Sequence, residues 1–191
     1  VALTYGIPNS IQDLLNNEQT VDENIAFDTA VFYSISNCQS GLAGISFGNF
    51  LIKQVVEDLT SEFGNLKTFV TLSPIPLFQS WLKNEGAKIK MKENNNLSKL
   101  VAFYLLNGKR DDGLPFDPVA RFHLGNGAQV HAVHENADIS EKGINQSQGM
   151  MVNYLYDPSM IGINHEKFVS ENIIPASNEI ISLSKSVVKV E

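Results

Sequence analysis

The middle of the sequence alternates between strand-like and helix-like segments, and this order limits the fold more than any other feature. Residues 29–36 (TAVFYSIS) and 67–73 (KTFVTLS) are rich in β-branched and aromatic side chains, so each predicts a strand. Between them lie a loop with three glycines, 37–49, and a segment, 49–63, with apolar residues at helical spacing. The residues of that helix face are Phe50, Leu51, Val55, Leu59 and Phe63. The order strand, loop, helix, strand predicts a mixed α/β fold.

The flanking segments add elements of both kinds. We expect helices at residues 9–15, 77–82, 99–109 and 177–188, and strands at 1–4, 128–133 and 150–156. Segment 85–98 is polar and contains three consecutive asparagines, which favours a flexible connection. A chain of 191 residues has the length of one ordinary domain, and we expect residues 1–191 to form it.

The composition is that of a core-forming protein and argues against two classes of partner. Hydrophobic residues make up 43% and charged residues 18% of the chain, whose net charge is −7. Such a chain lacks the positive field that general binding to nucleic acids or anionic membranes needs. No segment approaches the ~18 apolar residues of a membrane span, and the single Cys38 has no cysteine partner for an internal disulfide. Because the sequence opens on a strand-like segment without an initiator methionine, we expect a fragment or a processed piece.

The glycine-bearing loop before the predicted helix is the first candidate site. Glycines let backbone N–H groups approach phosphate oxygens, and a helix N-terminus adds partial positive charge. Gln39 and Ser40 add side-chain donors. The loop matches neither the P-loop pattern nor G-x-G-x-x-G. Its spacing therefore leaves two interpretations open, a diphosphate site or an ordinary glycine-rich turn.

Ser73 is the second candidate, at the end of a predicted strand in the segment TLSPIP. Pro74 and Pro76 fix the backbone after it, so its hydroxyl is held at a rigid chain reversal. Strand ends are common ligand sites in α/β proteins, whereas a turn-forming serine is the simpler interpretation. Ser73 does not lie in a G-x-S-x-G elbow, so it does not indicate hydrolase chemistry.

Three of the four histidines, His123, His131 and His134, lie within twelve residues. Against a metal site, His131 and His134 would point to opposite faces of a regular strand, and no H-E-x-x-H or C-x-x-C pattern is present. His123 differs because it stands between Phe122 and Leu124, just before a glycine turn. Such a ring is either a general acid or base near neutral pH or a hydrogen-bonded core histidine.

Four motifs together resemble the catalytic C-terminal domain of the malonyl-CoA decarboxylase family. The first motif combines FYSIS, GLAG and FLIKQVV; the second is TLSPIP; the third is DPVARFHLGNGA; and the fourth combines ADISEKG and MVNYLYD. The resemblance runs from Val1 to about Val187. The family fold is GNAT-like, a mixed central sheet flanked by helices whose central strands splay to admit the pantetheine arm. The resemblance implies this α/β fold here, with the family's N-terminal helical domain and first strands missing from the chain.

The resemblance also implies site residues. It assigns the essential serine to Ser73, the essential histidine to His123 and a further site tyrosine to Tyr156. The CoA-binding loop maps onto seven consecutive residues, which are Ala43, Gly44, Ile45, Ser46, Phe47, Gly48 and Asn49.

The implied reaction is the decarboxylation of malonyl-CoA to acetyl-CoA and CO₂ without a metal or other cofactor. The thioester carbonyl takes up the electrons, and the enolate that forms needs fixed hydrogen-bond donors. His123 is expected to supply the proton, while Ser73 orients or polarises the malonyl group. The implied partners are malonyl-CoA and acetyl-CoA, with no nucleic acid, no membrane and a homo-oligomer for the full-length protein. The location implied is inside the cell, in cytoplasm, mitochondria or peroxisomes.

Departures from the family pattern keep other functions open. Ser46 stands where the family usually has an acidic residue, and HENAD at 134–138 replaces the family's N-W-x-A-D. Segment 83–97 is short compared with the corresponding segment of the family. The alternatives are a GNAT-type acyltransferase, a decarboxylase of carrier-bound malonyl groups, and a non-catalytic CoA-binding remnant. Retention of both Ser73 and His123 favours decarboxylation.

Overall fold

The computed structural model describes residues 1–16, 27–33, 35, 48–86, 89–91 and 96–189. Its strands are β1 (Ala2–Thr4), β2 (Thr29–Phe32), β3 (Thr68–Thr71), β4 (Ser73–Pro74), β5 (Ile89–Met91), β6 (Gln129–His134), β7 (Met151–Leu155) and β8 (Val187–Lys189). Its helices are α1 (Ile11–Asn16), α2 (Gly48–Glu62), α3 (Phe78–Glu85), α4 (Leu97–Asn107), α5 (Pro118–Gly125), α6 (Glu141–Ser147), α7 (Ile161–Glu171) and α8 (Asn178–Lys185). The predicted mixed α/β class is confirmed.

Six strands form one mixed sheet in the order β1-β2-β3-β7-β4, with β6 also paired to β7. β2 and β3, which flank α2 in the sequence, are parallel, and the other pairs in this sheet are antiparallel. β3 and β4 follow each other along the same edge of β7 without a change of register, since Val70 faces Leu155 and Ser73 faces Val152. β5 and β8 form a separate two-stranded sheet.

The main sheet separates two apolar clusters, because side chains alternate between its faces. The larger cluster includes Val152 and Tyr154 of β7 and is covered by residues of α2, α3, α4, α5, α7 and α8. The smaller cluster includes Val70 and Met151 and packs against α1. The candidate site described below lies on the face that carries the larger cluster.

The elements expected from the sequence are present with shifted ends, and the structure differs from the expectations at three places. Segment 85–98, expected to be a flexible connection, contains β5, and the expected helix 177–188 ends at Lys185 and is followed by β8. These two short strands pair with each other, which local sequence patterns do not reveal. Among the described side chains of α2, from Ile52 onward, Ile52 and Val56 are buried. Phe63, expected on the buried face, follows the helix and is 39% exposed.

Candidate active site

Ser73 lies in β4, where the chain pairs again with β7 after the break at residue 72. It faces Val152, so its side chain shares a face of the sheet with those of Thr71, Tyr154 and Tyr156. Ser73 is only 5% exposed, and Tyr154 and Tyr156 belong to the larger apolar cluster. The predicted serine is therefore a buried residue at a strand end.

His123 is carried by α5, and the sequence encodes the start of this helix locally. Asp117 caps it by accepting hydrogen bonds from the N–H groups of Val119 (2.9 Å) and Ala120 (3.0 Å). Pro118 takes the first helical position, where its missing N–H leaves no bond unmade. We did not predict a helix in this segment, although the Asp-Pro pair is a known start signal. His123 lies about one and a half turns after Pro118, and its ring faces the sheet.

Gly127 ends the chain reversal after α5, and only glycine fits there. Its backbone is left-handed (φ 80°), and a Cβ built on it would lie 2.2 Å from the Ile161 carbonyl oxygen. Asn164 of α7 donates from Nδ2 to the Gly127 carbonyl at 3.2 Å. The glycine turn expected after His123 therefore anchors α5 against α7.

Hydrogen bonds join both ring nitrogens of His123 to predicted site residues. Nε2 lies 3.1 Å from Ser73 Oγ, and Nδ1 lies 2.8 Å from the Tyr156 phenol oxygen. Ser73 Oγ donates to Thr71 Oγ1 at 2.9 Å, and the Tyr154 N–H also donates to that threonine oxygen at 3.1 Å. The structure therefore brings together three residues that the sequence placed in one site and adds Thr71, which the sequence analysis missed.

The burial of this group determines where its protons lie. Burial lowers the pKa of His123 from 6.5 to about 3, so the ring is neutral, and burial raises the pKa of the Tyr156 phenol, which keeps its proton. The Ser73 hydroxyl is oriented as donor to Thr71, and with that orientation the ring donates from Nε2 to Ser73. Nδ1 of the neutral ring then accepts from Tyr156. This arrangement is a neutral imidazole with its proton aimed at Ser73.

Tyr154 is a second feature that the sequence analysis missed. Its ring stacks on that of His123, with centroids 4.6 Å apart and planes 24° from parallel. The residue is fully buried, and its hydroxyl has no hydrogen-bond partner among the described residues. Tyr154 lies two residues before Tyr156, so strand alternation alone places both rings on one face. That period of two was the signal available in the sequence.

The glycine loop predicted to bind CoA lies mostly outside the described residues. Ala43, Gly44, Ile45, Ser46 and Phe47 belong to that undescribed part, as do Gln39, Ser40 and Cys38. Gly48 and Asn49 are the first residues of the 15-residue helix α2. The described backbone therefore places a helix N-terminus at the last two residues of the predicted loop, which is the arrangement that favours an anionic group.

The other histidines do not form a metal centre with the residues described. β6 has a bulge between Val130 and Ala132, so the alternation from which we placed His131 and His134 on opposite faces does not hold. Burial lowers the pKa of the half-buried His131, against the opposing effect of the Glu179 carboxylate. Within the described ranges, no three histidine, cysteine or carboxylate side chains are grouped to hold a metal ion. No helix among them is long and apolar enough to cross a membrane.

Comparison with known proteins places this site in a family. Residues 1–96 and 84–190 match a family model described as the malonyl-CoA decarboxylase C-terminal domain, and the two matched stretches overlap within the segment expected to be short. The mitochondrial malonyl-CoA decarboxylase of Rattus norvegicus is 34% identical over 96% of this chain and 46% of its own length. That of Anser anser anser is 32% identical over 95% of the chain and 45% of its length. The chain thus spans about half the length of these relatives.

Solved structures agree with the sequence matches. The malonyl-CoA decarboxylase of Rhodopseudomonas palustris is 43% identical, with a TM-score of 0.85, over 95% of this chain and 48% of that one. The malonyl-CoA decarboxylase of Agrobacterium vitis is 40% identical, with a TM-score of 0.85, and the match covers 95% of this chain and 51% of that one. The loading GNATL domain of CurA from Lyngbya majuscula is 16% identical, with a TM-score of 0.52, and the match covers 82% of this chain and 68% of that one. At this identity the match shows a similar fold alone. The expected GNAT-like fold is thereby confirmed, and the chain belongs to the malonyl-CoA decarboxylase family, whose C-terminal domain it represents.

Proposed function

We propose that this chain decarboxylates malonyl-CoA to acetyl-CoA and CO₂, with His123, Ser73 and Tyr156 as its catalytic residues. The proposal rests on two buried hydrogen bonds of the His123 ring. Nδ1 lies 2.8 Å from the Tyr156 phenol oxygen, and Nε2 lies 3.1 Å from Ser73 Oγ. Relatives named malonyl-CoA decarboxylase, 34% and 32% identical, support the choice of reaction.

The reaction needs an electron sink and a proton, and both can be supplied without a metal. The bond between the carboxylate carbon and the methylene carbon breaks, and CO₂ leaves. The electron pair of that bond stays with the methylene carbon and is delocalised into the thioester carbonyl, which forms an enolate. Ser73 turns its hydroxyl from Thr71 to that carbonyl oxygen and stabilises the developing charge. The low polarity around the 5% exposed Ser73 strengthens this hydrogen bond.

His123 then protonates the methylene carbon. Its Nε2–H supplies the proton, and the Tyr156 O–H at Nδ1 stabilises the charge left on the ring. The ring regains a proton from water when acetyl-CoA leaves. The overall reaction therefore consumes one malonyl-CoA and one proton and yields one acetyl-CoA and one CO₂.

The CoA portion of the substrate would bind at the start of α2. We propose that the loop from Ala43 to Asn49 holds the diphosphate, because its last two residues begin a 15-residue helix whose N-terminal N–H groups favour an anion. We also propose that residues 1–191 act as one catalytic domain, that the full-length protein is a homo-oligomer, and that no metal or further cofactor takes part. The relatives named mitochondrial support a location inside the cell.

A product assay with three substrates tests the proposed function. The purified chain is incubated with malonyl-CoA, methylmalonyl-CoA and a malonyl group on acyl carrier protein, and acetyl or propionyl product and CO₂ are quantified together. We expect acetyl-CoA and CO₂ in equal amounts from malonyl-CoA, faster than from the other two. Faster turnover of the carrier-bound group would show that malonyl-acyl carrier protein, and not malonyl-CoA, is the preferred substrate. If the chain binds malonyl-CoA yet forms no acetyl-CoA, the decarboxylase proposal is wrong.

A further inference from the structure

The hydrogen-bond ladder between β7 and β3 changes character at one residue pair. Phe69 and Tyr156 are joined through the backbone, with the Tyr156 N–H 2.8 Å from the Phe69 carbonyl oxygen. Two residues along, Thr71 and Tyr154 face each other in the same register. There the Tyr154 N–H donates to Thr71 Oγ1, and the Thr71 carbonyl accepts from Asn153 Nδ2 at 2.7 Å. The side chains of Thr71 and Asn153 therefore take part in the hydrogen bonding between these strands, at the residue that holds the Ser73 hydroxyl.

Asn153 can make this bridge in one orientation only. Its side chain is fully buried, and its Nδ2 faces two carbonyl oxygens, those of Thr71 (2.7 Å) and Pro8 (3.5 Å). Carbonyl oxygens accept and never donate, so the amide nitrogen must be the atom that faces them. The amide oxygen, Oδ1, then faces β6, where it forms a short hydrogen bond with His134 Nε2. Because Oδ1 is also only an acceptor, His134 must carry a proton on Nε2.

His134 reaches this amide from the far side of the sheet. It faces Met151 across the β6–β7 ladder, and Met151 and Asn153 point to the side of the smaller apolar cluster. His123, Ser73 and the rings around them lie on the other side. Among the described residues, His134 has no hydrogen bond to Ser73, His123 or Tyr156, yet it is two hydrogen bonds away from Thr71.

We propose that His134 is a positioning residue that, through the Asn153 amide and the Thr71 carbonyl, holds Ser73 within reach of His123. The inference rests on the proposed decarboxylation for its effect on rate. A neutral or a protonated His134 donates from Nε2 equally well, so the bridge needs a donor at that point and not a charge. With the donor lost, Asn153 Oδ1 is buried without a partner, and the amide rotates away from Thr71.

Three variants of the chain separate this role from a general effect on the fold. His134→Leu removes the donor, and His134→Gln keeps an N–H at similar reach. His131→Leu is the matched control, because His131 is a half-buried ring on the same strand without a bond to Asn153. Two quantities are measured: kcat and KM for malonyl-CoA, and the ¹⁵N chemical shifts of the His123 ring nitrogens, which report the Ser73 contact without any turnover.

We expect His134→Leu to lower kcat about fivefold, the rate equivalent of one ordinary hydrogen bond, with KM unchanged. We expect His134→Gln and His131→Leu to keep the wild-type rate, and the His123 Nε2 signal to shift in His134→Leu alone. Equal behaviour of His134→Leu and His131→Leu in both measurements would overturn the inference. If the wild-type chain forms no acetyl-CoA, the proposed function fails, and the ring signals alone decide the role of His134.

Discussion

His123 is held at both ring nitrogens and on one face, and this confinement governs its chemistry. Tyr156 binds Nδ1, Ser73 binds Nε2, and the Tyr154 ring covers one side at 4.6 Å. An imidazole in such a pocket keeps one tautomer and one orientation, so its proton is presented at a fixed point. Burial lowers the pKa of His123 to about 3, which makes the neutral ring the form present at physiological pH.

Removing the Tyr156 hydroxyl tests whether this tautomer matters. Tyr156→Phe leaves Nδ1 without its donor, so the ring proton is no longer directed to Nε2 and the charge left after proton transfer is less stabilised. We expect kcat to fall about tenfold, since a buried group that loses its partner costs roughly 1–3 kcal/mol. Steady-state kinetics measure this, with Tyr5→Phe as control because Tyr5 is 80% exposed. Identical kinetics of the two variants would contradict a role for Tyr156.

The buried neutral ring also makes stability depend on pH. The pKa of His123 is lowered from 6.5 to about 3 in the folded chain, so below about pH 6.5 the unfolded chain binds one proton more. The free energy of unfolding therefore falls as the pH falls, by up to ~1.4 kcal/mol per unit from this group. Urea unfolding at pH 7, 6 and 5 measures the slope. We expect a smaller slope in His123→Asn, and an unchanged slope would show that the ring is not buried in its neutral form.

At the scale of elements, α5 connects the local sequence to the site. Asp117 caps its first turn, and its other carboxylate oxygen accepts from the Tyr104 hydroxyl at 3.3 Å. Burial raises the pKa of this carboxyl, which is only 2% exposed. The cap thus fixes both the start of the helix and its distance from α4.

Changing this cap is expected to loosen α5. Asp117→Ala removes the acceptor for two N–H groups, so we expect the free energy of unfolding to fall by about 1–2 kcal/mol and kcat to fall with it. Asp117→Asn keeps an oxygen acceptor and is expected to retain most of both. Chemical denaturation and kinetics on the same preparations measure the two effects. Equal stability of the alanine and asparagine variants would argue against the cap.

The turn after α5 offers a matched pair of glycines. Gly127→Ala places a Cβ in contact with the Ile161 carbonyl at a left-handed position, and we expect a loss of about 1–3 kcal/mol in unfolding free energy. Gly125 is helical, and a Cβ there meets no atom within 4 Å, so Gly125→Ala is expected to leave stability unchanged or raise it by up to ~1 kcal/mol. Thermal unfolding of both variants gives the comparison, and equal melting temperatures would contradict it.

The long periodic elements were predictable from sequence, whereas elements formed through distant contacts were not. The pattern at 99–109 predicts α4 because its apolar residues dominate a whole helix, and the β-rich segments at 29–36 and 67–73 predict β2 and β3. β5 and β8 are three residues each and depend on one another across almost a hundred positions. Ser73, His123 and Tyr156 followed from the family motifs. Thr71 and Tyr154 were missed because their roles depend on which strands become neighbours.

At the scale of the whole molecule, the main sheet lies between the larger and the smaller apolar cluster. The larger cluster encloses Ser73, His123 and Tyr156, whereas the smaller cluster lies beside Asn153 and His134. Because the sheet is one element thick, a hydrogen bond on the far side lies close to the site without entering it. The sheet therefore carries the proposed catalytic residues on one face and the proposed positioning residue His134 on the other.

The most direct test of the proposed chemistry is the rate constant for acetyl-CoA formation in a single turnover. Wild-type chain, His123→Asn and the control His131→Asn are each mixed in excess with malonyl-CoA, after circular dichroism has shown that all three are folded. We expect His123→Asn to be slower by about 10²–10⁴-fold, the usual contribution of a general acid, with His131→Asn at the wild-type rate. Acetyl-CoA formation by His123→Asn at the wild-type rate would contradict the assignment of His123 as the proton donor.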